Sequence, residues 1–402
     1  MRAITKIAIR IFQFFFFKGA YLLPWRKPEL IEGNGCFTSL GGLVRSKGFH
    51  NIMIITDKGL MKIGLLKPLF KAMDASKVKY TLCDNVEPNP KIDNIEEAVT
   101  MYRANGCQAI IAVGGGSPMD TAKAVGARIA RPKKTIEQMG GTLKVLWKIP
   151  AIFAVPTTAG TGSETTIAAV VTNRETHHKY SINDLFLIPP YAVLDPLLHV
   201  GLPPFITATT GMDALTHAVE AYITVDRPKY CQVACEEAVV AIFKYLEKAF
   251  KKGSDINARR ELLYASYKAG LAFTRCGVTY VHPIAHTIGG LYNVPHGLAN
   301  AVILPYCLDY YGPKIHSRLA RLADLAGISK QGQSNGEKAK AFIAEIRRMN
   351  RNMKLQDKFD CIEDKDIDQM VEWALAEAHP MYQVPVLLNG DQLREIILQI
   401  RA

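Results

Sequence analysis

The chain lacks an uninterrupted apolar stretch of the length that a membrane-spanning helix needs. The apolar run around Phe14 to Phe17 is interrupted at Arg10 and at Lys18, well below the ~20 residues that cross a bilayer. No small-residue cleavage site follows the aromatic run, which argues against a secretory signal peptide. We therefore expect a cytoplasmic protein whose chain does not span a membrane.

Cysteine is also scarce, and its spacing excludes the zinc finger class. The 402 residues contain eight cysteines, at 36, 83, 107, 231, 235, 276, 307 and 361. None of them forms the paired spacing of a zinc finger. Scattered cysteines of this kind are typical of reduced thiols in a cytoplasmic protein.

The net charge of +12 does not indicate nucleic-acid binding, because Lys and Arg are dispersed and form no basic stripe with interleaved aromatics. Residues 1–30 differ from the rest. They carry Arg2, Lys6, Arg10, Lys18, Arg26 and Lys27 around Phe12, Phe14 to Phe17, Tyr21 and Trp25. This mixture fits peripheral contact of residues 1–27 with anionic lipid. The alternative is a helix packed on the rest of the chain or on a neighbouring subunit.

Four residues have the composition of a metal site: Asp213, His217, His282 and His296. The first two are four residues apart in a predicted helix, so their side chains share one face. About one short helix and a turn separate the other two. One carboxylate and three imidazoles suit Fe(II), Zn(II), Mn(II) or Ni(II). The set therefore predicts a metal-assisted enzyme.

Histidine alone is weak support for such a site. A single histidine in an apolar helix is usually a core or surface residue, and an Asp and a His four apart can be a simple pair. Three of the ten histidines nevertheless fall within 282–296. The middle one, His286, is the candidate for proton transfer. His177 and His178, in a polar stretch, are interpreted as solvated and without a role.

A second pattern, in the N-terminal half, predicts a nucleotide site. Ala109–Val113 has the continuous apolar character of a buried strand, and three glycines at 114–116 follow it. Ser117 as N-cap, Pro118 at the first helical position and Asp120 as a capping carboxylate predict a helix start. A helix start behind a glycine turn suits pyrophosphate. It is not a G-x-G-x-x-G fingerprint, and a plain turn remains the alternative.

Two further strand ends carry polar residues. The strand at 151–155 precedes Thr157, Thr158 and Thr161, whose hydroxyls can donate to phosphate, ribose or amide groups. The strand at 51–56 precedes Asp57, which can accept both ribose hydroxyls and would repel a 2′-phosphate. That favours NAD over NADP. The alternatives are an ordinary Ser/Thr turn and a helix cap.

The pattern of elements divides the chain. Strands alternate with helices to about residue 195, and helical periodicity follows. We predict an extension at 1–30, an α/β NAD-binding domain at 31–197 and an all-α metal-binding domain at 198–402. The predicted C-terminal helices are 205–222, 231–250, 257–274, 297–310, 316–326, 336–350, 364–379 and 391–401.

Several motifs together resemble the iron-containing alcohol dehydrogenase family. They are TDKGL (56–60), PNP (88–90), GGGSPMDTAKA (114–124), PTTAGTGSE (156–164), GMDALTHAVEAY (211–222) and HPIAHTIGGLYNVPHGLAN (282–300). The resemblance covers the chain from about residue 30 to its end. It implies a dehydroquinate synthase-like architecture, with an α/β dinucleotide-binding domain and a helical domain. It also implies Fe(II), or Zn(II) in some relatives, and a homodimer or larger assembly.

The resemblance also assigns roles to residues. It implies Asp213, His217, His282 and His296 as metal ligands, with His286 beside the nicotinamide. The implied cofactor contacts are Asp57, Asn89, Gly115, Gly116, Ser117, Thr157, Thr158, Thr161 and Lys179. Two features depart from the family pattern. Pro283 stands where glycine is common and disfavours helical geometry at His282, and the segment before residue 30 has no counterpart.

These observations predict hydride transfer between NAD(H) and a primary alcohol or aldehyde, with the metal polarising the substrate oxygen. Two alternatives belong to other classes. One is a lyase or synthase of the dehydroquinate synthase type that uses NAD transiently. The other is a non-catalytic scaffold that binds nucleotide.

Overall fold

The structure is a computed structural model that describes residues 3–173 and 179–402. The predicted solvated residues His177 and His178 lie outside the described residues. The chain forms two compact units, Pro24–Leu202 and Met1–Leu23 with Pro203–Ala402. This division differs from the predicted one at the N-terminus, because the extension does not form a separate segment. Its helical part belongs to the helical unit, and its last residues enter the α/β unit as a strand.

The α/β unit contains the strands and short helices between residues 24 and 202. Its strands in the described chain are β1 (Glu29–Glu32), β2 (Asn51–Ile55), β3 (Lys79–Cys83), β4 (Ala109–Gly114), β5 (Gly141–Thr142), β6 (Ala151–Pro156), β7 (Ala168–Thr172), β8 (Lys179–Asn183) and β9 (Tyr191–Leu194). Its α-helices are α2 (Leu40–Ser46), α3 (Lys58–Lys62), α4 (Lys67–Ala75), α5 (Ile92–Ala104), α6 (Gly116–Ala130) and α7 (Ile136–Met139). The three strands predicted from apolar runs are all present.

Six of these strands form one parallel sheet in the order β1-β9-β6-β4-β2-β3. Side chains of β2, β4 and β6 are buried on both faces. Ile55, Ala112 and Ala154 pack into one hydrophobic cluster. Ile54 and Val113 pack into the other. Burial on both faces explains why these strands are continuously apolar in sequence.

The strand order contains a topological switch. From β2 the chain moves to β3 on one side and then returns to β4 on the other side of β2. In open α/β sheets, ligands bind at the carboxyl ends of the strands at such a point. The polar residues that follow β2, β4 and β6 therefore lie where this fold accommodates a ligand.

The other unit is helical. Its helices are α1 (Ala3–Ala20), α8 (Pro204–Ile223), α9 (Lys229–Lys251), α10 (Ile256–Cys276), α11 (Val281–Tyr292), α12 (His296–Tyr311), α13 (His316–Leu325), α14 (Asn335–Asn352), α15 (Ile367–Ala378) and α16 (Gly390–Ile400). Each C-terminal helix predicted from periodicity is present, with ends within about three residues. α8 is buried on nearly every side, and its buried residues include polar ones such as Asp213, His217 and Glu220.

Within the described ranges, no helix is both long enough and apolar enough to cross a membrane. All eight cysteines lie in the described part of the chain and are free thiols.

Candidate metal and dinucleotide sites

Three helices of the helical unit bring the four predicted metal ligands together. Asp213 and His217 project from one face of α8, His282 lies in the first turn of α11, and His296 is the first residue of α12. One ligand atom from each residue lies within 4.8 Å of the corresponding atoms of the other three. Three of the side chains are buried, whereas that of His296 is 37% exposed. The cluster is therefore enclosed but reachable from solvent at His296.

The charge of this cluster suits a divalent cation. Burial lowers the pKa of His282 and of His296 well below the ordinary value, so both imidazoles are neutral at pH 7. Burial raises the pKa of Asp213, but the positive charge that the surrounding imidazoles carry when protonated, together with an amide hydrogen bond, outweighs it, so the net pKa is lowered. An ionised carboxylate among neutral nitrogen donors is the ligand chemistry that Fe(II) and Zn(II) bind.

A buried glutamate orients His282. Glu220, one turn after His217 on α8, contacts His282 Nδ1 through Oε2. Its Oε1 accepts hydrogen bonds from the backbone N–H groups of Thr279 (2.8 Å) and Val281 (3.1 Å). Holding Nδ1 in this way directs Nε2 of the same ring toward the other ligands, which is how outer carboxylates fix metal-binding histidines.

Pro283 does not disturb this arrangement. It is the third residue of α11, where the missing N–H has no intrahelical acceptor to lose. His282 is helical, so the concern that Pro283 would turn it away from α geometry is wrong.

Asn300 also contacts the ligands. It lies on α12 four residues after His296 and is fully buried. Its Nδ2 donates to Asp213 Oδ1 at 2.7 Å and lies 3.1 Å from His296 Nε2 and 3.3 Å from His282 Nε2. The amide therefore holds the Asp213 carboxylate and lies against two of the imidazole rings. His217, the fourth ligand, stacks on Phe273 with 4.1 Å between ring centroids.

His286 lies beside the cluster. Its ring stacks on that of His296 at 5.2 Å between centroids, and its Nδ1 lies 2.9 Å from Glu377 Oε1. Glu377 also accepts a hydrogen bond from the Tyr382 hydroxyl at 2.8 Å. Burial raises the pKa of Glu377, but His286 and the Tyr382 hydrogen bond outweigh it and lower the net pKa. An ionised Glu377 is placed to stabilise a proton on His286.

In the α/β unit, the glycine turn and the threonine loop meet at the same sheet edge. β4 and β6 pair in register up to Gly114 and Pro156, so the segments that follow begin side by side. A Cβ at Gly115 would lie 3.3 Å from Thr158 Oγ1, and a Cβ at Gly116 would lie 3.0 Å from Thr161 Cγ2. Only glycine leaves the space between these two segments open.

This cradle has the features of an anion site. No side chain in the described part of the protein caps the N-terminus of α6, whose N-cap is Gly115, so its first N–H groups face the cradle. Thr158 Oγ1 is buried and has no hydrogen-bond partner among residues 3–173 and 179–402. A buried hydroxyl without a partner is costly unless a ligand satisfies it. The cradle therefore fits a dinucleotide.

The predicted start of α6 is wrong in detail. The helix begins at Gly116, so Ser117 is not the N-cap and Pro118 is not at the first position. Asp120 does not cap the helix. Its Oδ1 accepts from Ser163 Oγ at 2.8 Å and its Oδ2 from the Val170 N–H at 3.2 Å. These long-range partners draw the carboxylate into the interior, away from the helix terminus.

A buried lysine completes that interior cluster. Lys123 Nζ donates to Ser163 Oγ at 2.9 Å, to Thr166 Oγ1 at 2.8 Å and to the Ala168 carbonyl at 2.9 Å. Burial lowers the pKa of Lys123 to about 8, with Asp120 opposing the shift. The cluster ties α6 to the segment that follows the threonine loop.

The remaining predicted cofactor residues form two other groups. Asp57 is the N-cap of α3 and accepts from the Leu60 N–H at 3.0 Å, which confirms the capping interpretation. Asn89 has a left-handed φ of 58° and precedes Lys91, which forms a bridge with Thr172. Thr172 pairs in turn with Lys179, the first residue of β8. Burial lowers the pKa of Lys179.

Comparison with known proteins identifies this arrangement. The model of the iron-containing alcohol dehydrogenase family matches residues 28–196, and that of the C-terminal domain of the Fe-containing alcohol dehydrogenase family matches residues 207–400. The chain belongs to the iron-containing alcohol dehydrogenase family. The predicted fold, a parallel α/β domain with a helical C-terminal domain, is confirmed, and so is its class of activity, alcohol/aldehyde oxidoreduction.

Individual relatives agree. The chain is 37% identical to 1,3-propanediol dehydrogenase of Klebsiella pneumoniae over 371 residues, which cover 91% of this chain and 95% of the relative. A crystal structure of 1,3-propanediol oxidoreductase superposes with a TM-score of 0.90 at 34% identity, covering 94% of this chain and 100% of that one. Sulfoacetaldehyde reductase from Bifidobacterium kashiwanohense, solved in complex with NAD⁺, has a TM-score of 0.83 at 27% identity and covers 95% and 99%.

Sequence reasoning missed three residues of this family member's site. Glu220 could have been predicted from the sequence, since it lies three residues after His217 and so continues the helix face that Asp213 and His217 share. Asn300 could also have been predicted, since it lies four residues after His296 on one helix. Glu377 could not have been predicted in this way, because it is 91 residues away from His286 in the chain.

Proposed function

We propose that this chain is a metal- and NAD-dependent dehydrogenase that interconverts a primary alcohol and its aldehyde. We assign Fe(II), with Zn(II) as the alternative, to Asp213, His217, His282 and His296. The observation that carries the proposal is the convergence of their four ligand atoms within 4.8 Å. The chain belongs to a dehydrogenase family, which favours hydride transfer over the synthase and scaffold alternatives.

The cofactor assignment is supported from two sides. The cradle between Gly115, Gly116, Thr158 and Thr161 has the shape and the unsatisfied hydroxyl that a pyrophosphate-containing ligand requires. A relative at 27% identity was solved in complex with NAD⁺. Asp57 at the end of β2 disfavours a 2′-phosphate because like charges would meet there.

When bound, the ion supplies Lewis-acid polarisation of the substrate oxygen, and nicotinamide supplies or accepts the hydride. The chain's own groups prepare these steps. Glu220 fixes the ring of His282 so that Nε2 faces the other proposed ligands, and Asn300 holds the Asp213 carboxylate by donating to Oδ1. The partial exposure of His296 leaves a side of the cluster open to a small substrate.

The proton of the alcohol needs an acceptor. With Nδ1 held by Glu377, His286 presents Nε2 as a base, and the ionised carboxylate stabilises the imidazolium that results. In the reductive direction the same nitrogen returns the proton. We therefore assign His286 as the proton relay and Glu377 as its positioning residue.

The proposal is tested by anaerobic purification, metal analysis and NADH absorbance with a panel of primary alcohols and aldehydes. We expect about one divalent ion per chain and a net change in NADH with at least one pair. His296→Ala should lose metal and activity together, whereas the matched control His316→Ala, on α13, should keep both. Activity that survives in His296→Ala with full metal occupancy would refute the ligand assignment.

The proton role has its own test. His286→Ala should retain metal content and NAD affinity but lose roughly 10²-fold in turnover, the low end of what a positioned acid–base group contributes. Rescue by added imidazole, with a shifted pH profile, would support transfer through this side chain. An unchanged turnover number would remove its role.

We also propose a cytoplasmic homodimer or larger assembly. The free thiols of all eight cysteines support the reducing compartment, and the resemblance to the family supports the assembly. Light scattering on the metal-loaded protein should give at least twice the 44.5 kDa of one chain. A monomer at every protein concentration would refute the assembly.

A further inference from the structure

Helix α1 attaches to the helical unit through its polar side chains. Gln13 Nε2 donates to the carbonyls of Pro380 (2.9 Å) and Tyr382 (2.6 Å), and Arg10 donates to the carbonyl of Val384 (2.8 Å). Gln13 is only 4% exposed. The inward face of α1 is therefore the hydrogen-bonded face.

The outward face of the same helix is apolar. It exposes large side chains to solvent: Ile4 (80%), Ile7 (59%), Ile11 (53%), Phe14 (60%) and Phe15 (69%). With ~100° of rotation per residue, these side chains and Phe12 cover roughly 160° of the helix surface. Ile9 is buried on the inward side, but most of the large apolar side chains of α1 face outward, whereas a surface helix usually packs its apolar face inward. A continuous exposed apolar surface of this kind marks an interaction site.

The charged residues of the segment that contains α1 are all basic. Residues 1–28 contain six Lys and Arg and no Asp or Glu. On the helix itself these are Lys6, Arg10 and Lys18, and Lys18 pairs with Asp226 of the enzyme body at 2.9 Å. Basic residues beside aromatic and aliphatic ones suit a surface that is apolar inside and anionic at its edge.

We propose that the outward face of α1 binds the surface of an anionic lipid bilayer, as a peripheral anchor that does not cross it. The apolar side chains would enter the boundary between head groups and acyl chains, while the positive charge of the segment would be attracted to the anionic head groups. The helix lies outside both ranges matched by the dehydrogenase family models, 28–196 and 207–400. The anchor is thus additional to the proposed activity and does not depend on it.

Two observations favour lipid over a second copy of this chain. A two-helix seam needs only a narrow stripe at two positions in seven, whereas the apolar arc of α1 extends from Phe14 across Ile4 to Phe12. Lys6 and Arg10 lie beside this face, so two copies packed through it would bring positive charges together, and like charges at close range are unfavourable. Anionic lipid removes that repulsion.

The test is co-sedimentation of the full-length, metal-loaded protein with vesicles. One set contains phosphatidylglycerol and phosphatidylcholine in equal amounts, and the other contains phosphatidylcholine alone. We expect binding to the anionic vesicles that weakens in high salt, and at least about tenfold weaker binding to the neutral ones. Phe14→Ser/Phe15→Ser should weaken binding to anionic vesicles at least about tenfold while leaving dehydrogenase turnover unchanged.

The matched control is Trp147→Ser/Leu398→Ser, which removes two exposed apolar side chains that lie outside α1. It should bind vesicles like the unsubstituted protein. Absence of vesicle binding, or equal binding by the Phe14→Ser/Phe15→Ser variant, would overturn the proposal. So would the finding that this variant loses only self-association, measured by light scattering, because the face would then bind a second copy.

Discussion

In the described part of the chain, each unit contains a cluster of ionisable side chains, and the charges of the two clusters are balanced differently. In the α/β unit, the carboxylate of Asp120 shares its cluster with the ammonium group of Lys123, and the nearby hydroxyls and carbonyls accept from that lysine. In the helical unit, the carboxylate of Asp213 is surrounded by imidazoles and one amide.

The difference separates structural clusters from ligand sites. A cluster that contains its own counter-ion and satisfies its own donors stabilises a fold. A cluster of acceptor groups that converge around one point, with a negative charge and two imidazoles kept neutral by burial, is organised for a cation. Four predictions test this distinction.

The largest effect is expected from removing the internal counter-ion. Lys123→Met leaves Asp120 without its cation and four oxygen acceptors without their donor, so the free energy of unfolding should fall by about 3–5 kcal/mol. Urea unfolding followed by tryptophan fluorescence measures it. A Trp373→Phe background confines the signal to Trp25 and Trp147 of the α/β unit.

The control for that experiment is Lys340→Met, an exposed lysine whose loss should change stability by less than about 0.5 kcal/mol. Lys123→Met/Asp120→Asn should recover part of the loss, because the uncompensated charge is gone. A single variant as stable as the parent would show that the cluster is not balanced internally.

The next effect concerns metal affinity. Asn300→Ala removes the amide that donates to Asp213 Oδ1 and should weaken Zn(II) or Co(II) binding about 10- to 100-fold, as loss of an outer partner of a ligating carboxylate does. Competition with a chromophoric chelator measures it. Asn350→Ala is the matched control, a buried asparagine that donates to the Ala301 carbonyl at 2.7 Å. Equal losses of metal affinity in both variants would show that Asn300 contributes only to packing.

A pH effect should appear in the α/β unit. Burial raises the pKa of Glu164 from 4.5 to about 7, with Lys123 opposing part of the shift. The folded state therefore holds this proton more tightly than the unfolded state. The resulting stability is fully present below pH 4.5 and is lost as the pH rises through about 7.

As the pH rises from 5 to 7.5, ionisation of Glu164 should lower the free energy of unfolding by about 2 kcal/mol. Glu164→Gln should remove that part of the slope in urea unfolding compared at the two pH values. Parallel pH profiles for the parent and Glu164→Gln would contradict the assignment.

The smallest effect is expected at the cradle. Thr158→Val deletes a hydroxyl without a partner in the described structure, so NAD⁺ should bind roughly fivefold to tenfold more weakly while the NAD-free protein unfolds as before. Titration of NAD⁺ by calorimetry measures the affinity. Thr165→Val should lower the stability of the NAD-free protein and leave NAD⁺ affinity unchanged, since the Thr165 hydroxyl donates to the Gly162 carbonyl at 2.8 Å. Loss of stability without loss of affinity in Thr158→Val would contradict a ligand role.

Local patterns predicted the elements, because these depend on short-range spacing, and they singled out the four residues whose ligand atoms the structure brings within 4.8 Å. Asp213 and His217 share a helix face by periodicity alone, and the buried strands are continuous apolar runs. The start of α6 was predicted wrongly because Ser117, Pro118 and Asp120 were interpreted as capping residues, whereas Asp120 bonds to Ser163, 43 residues later. Glu377 and the polar attachment of α1 likewise depend on contacts between distant parts of the chain.

The positions of the four ligands on α8, α11 and α12 have a mechanical consequence. An ion bound there would join three separate helices, so metal loading should act as a reversible cross-link within the helical unit. Ion at a thousand times its dissociation constant adds about 4 kcal/mol to the resistance against unfolding. Chelation, or oxidation that releases iron, should therefore shorten the thermal lifetime of the protein as well as stop its chemistry.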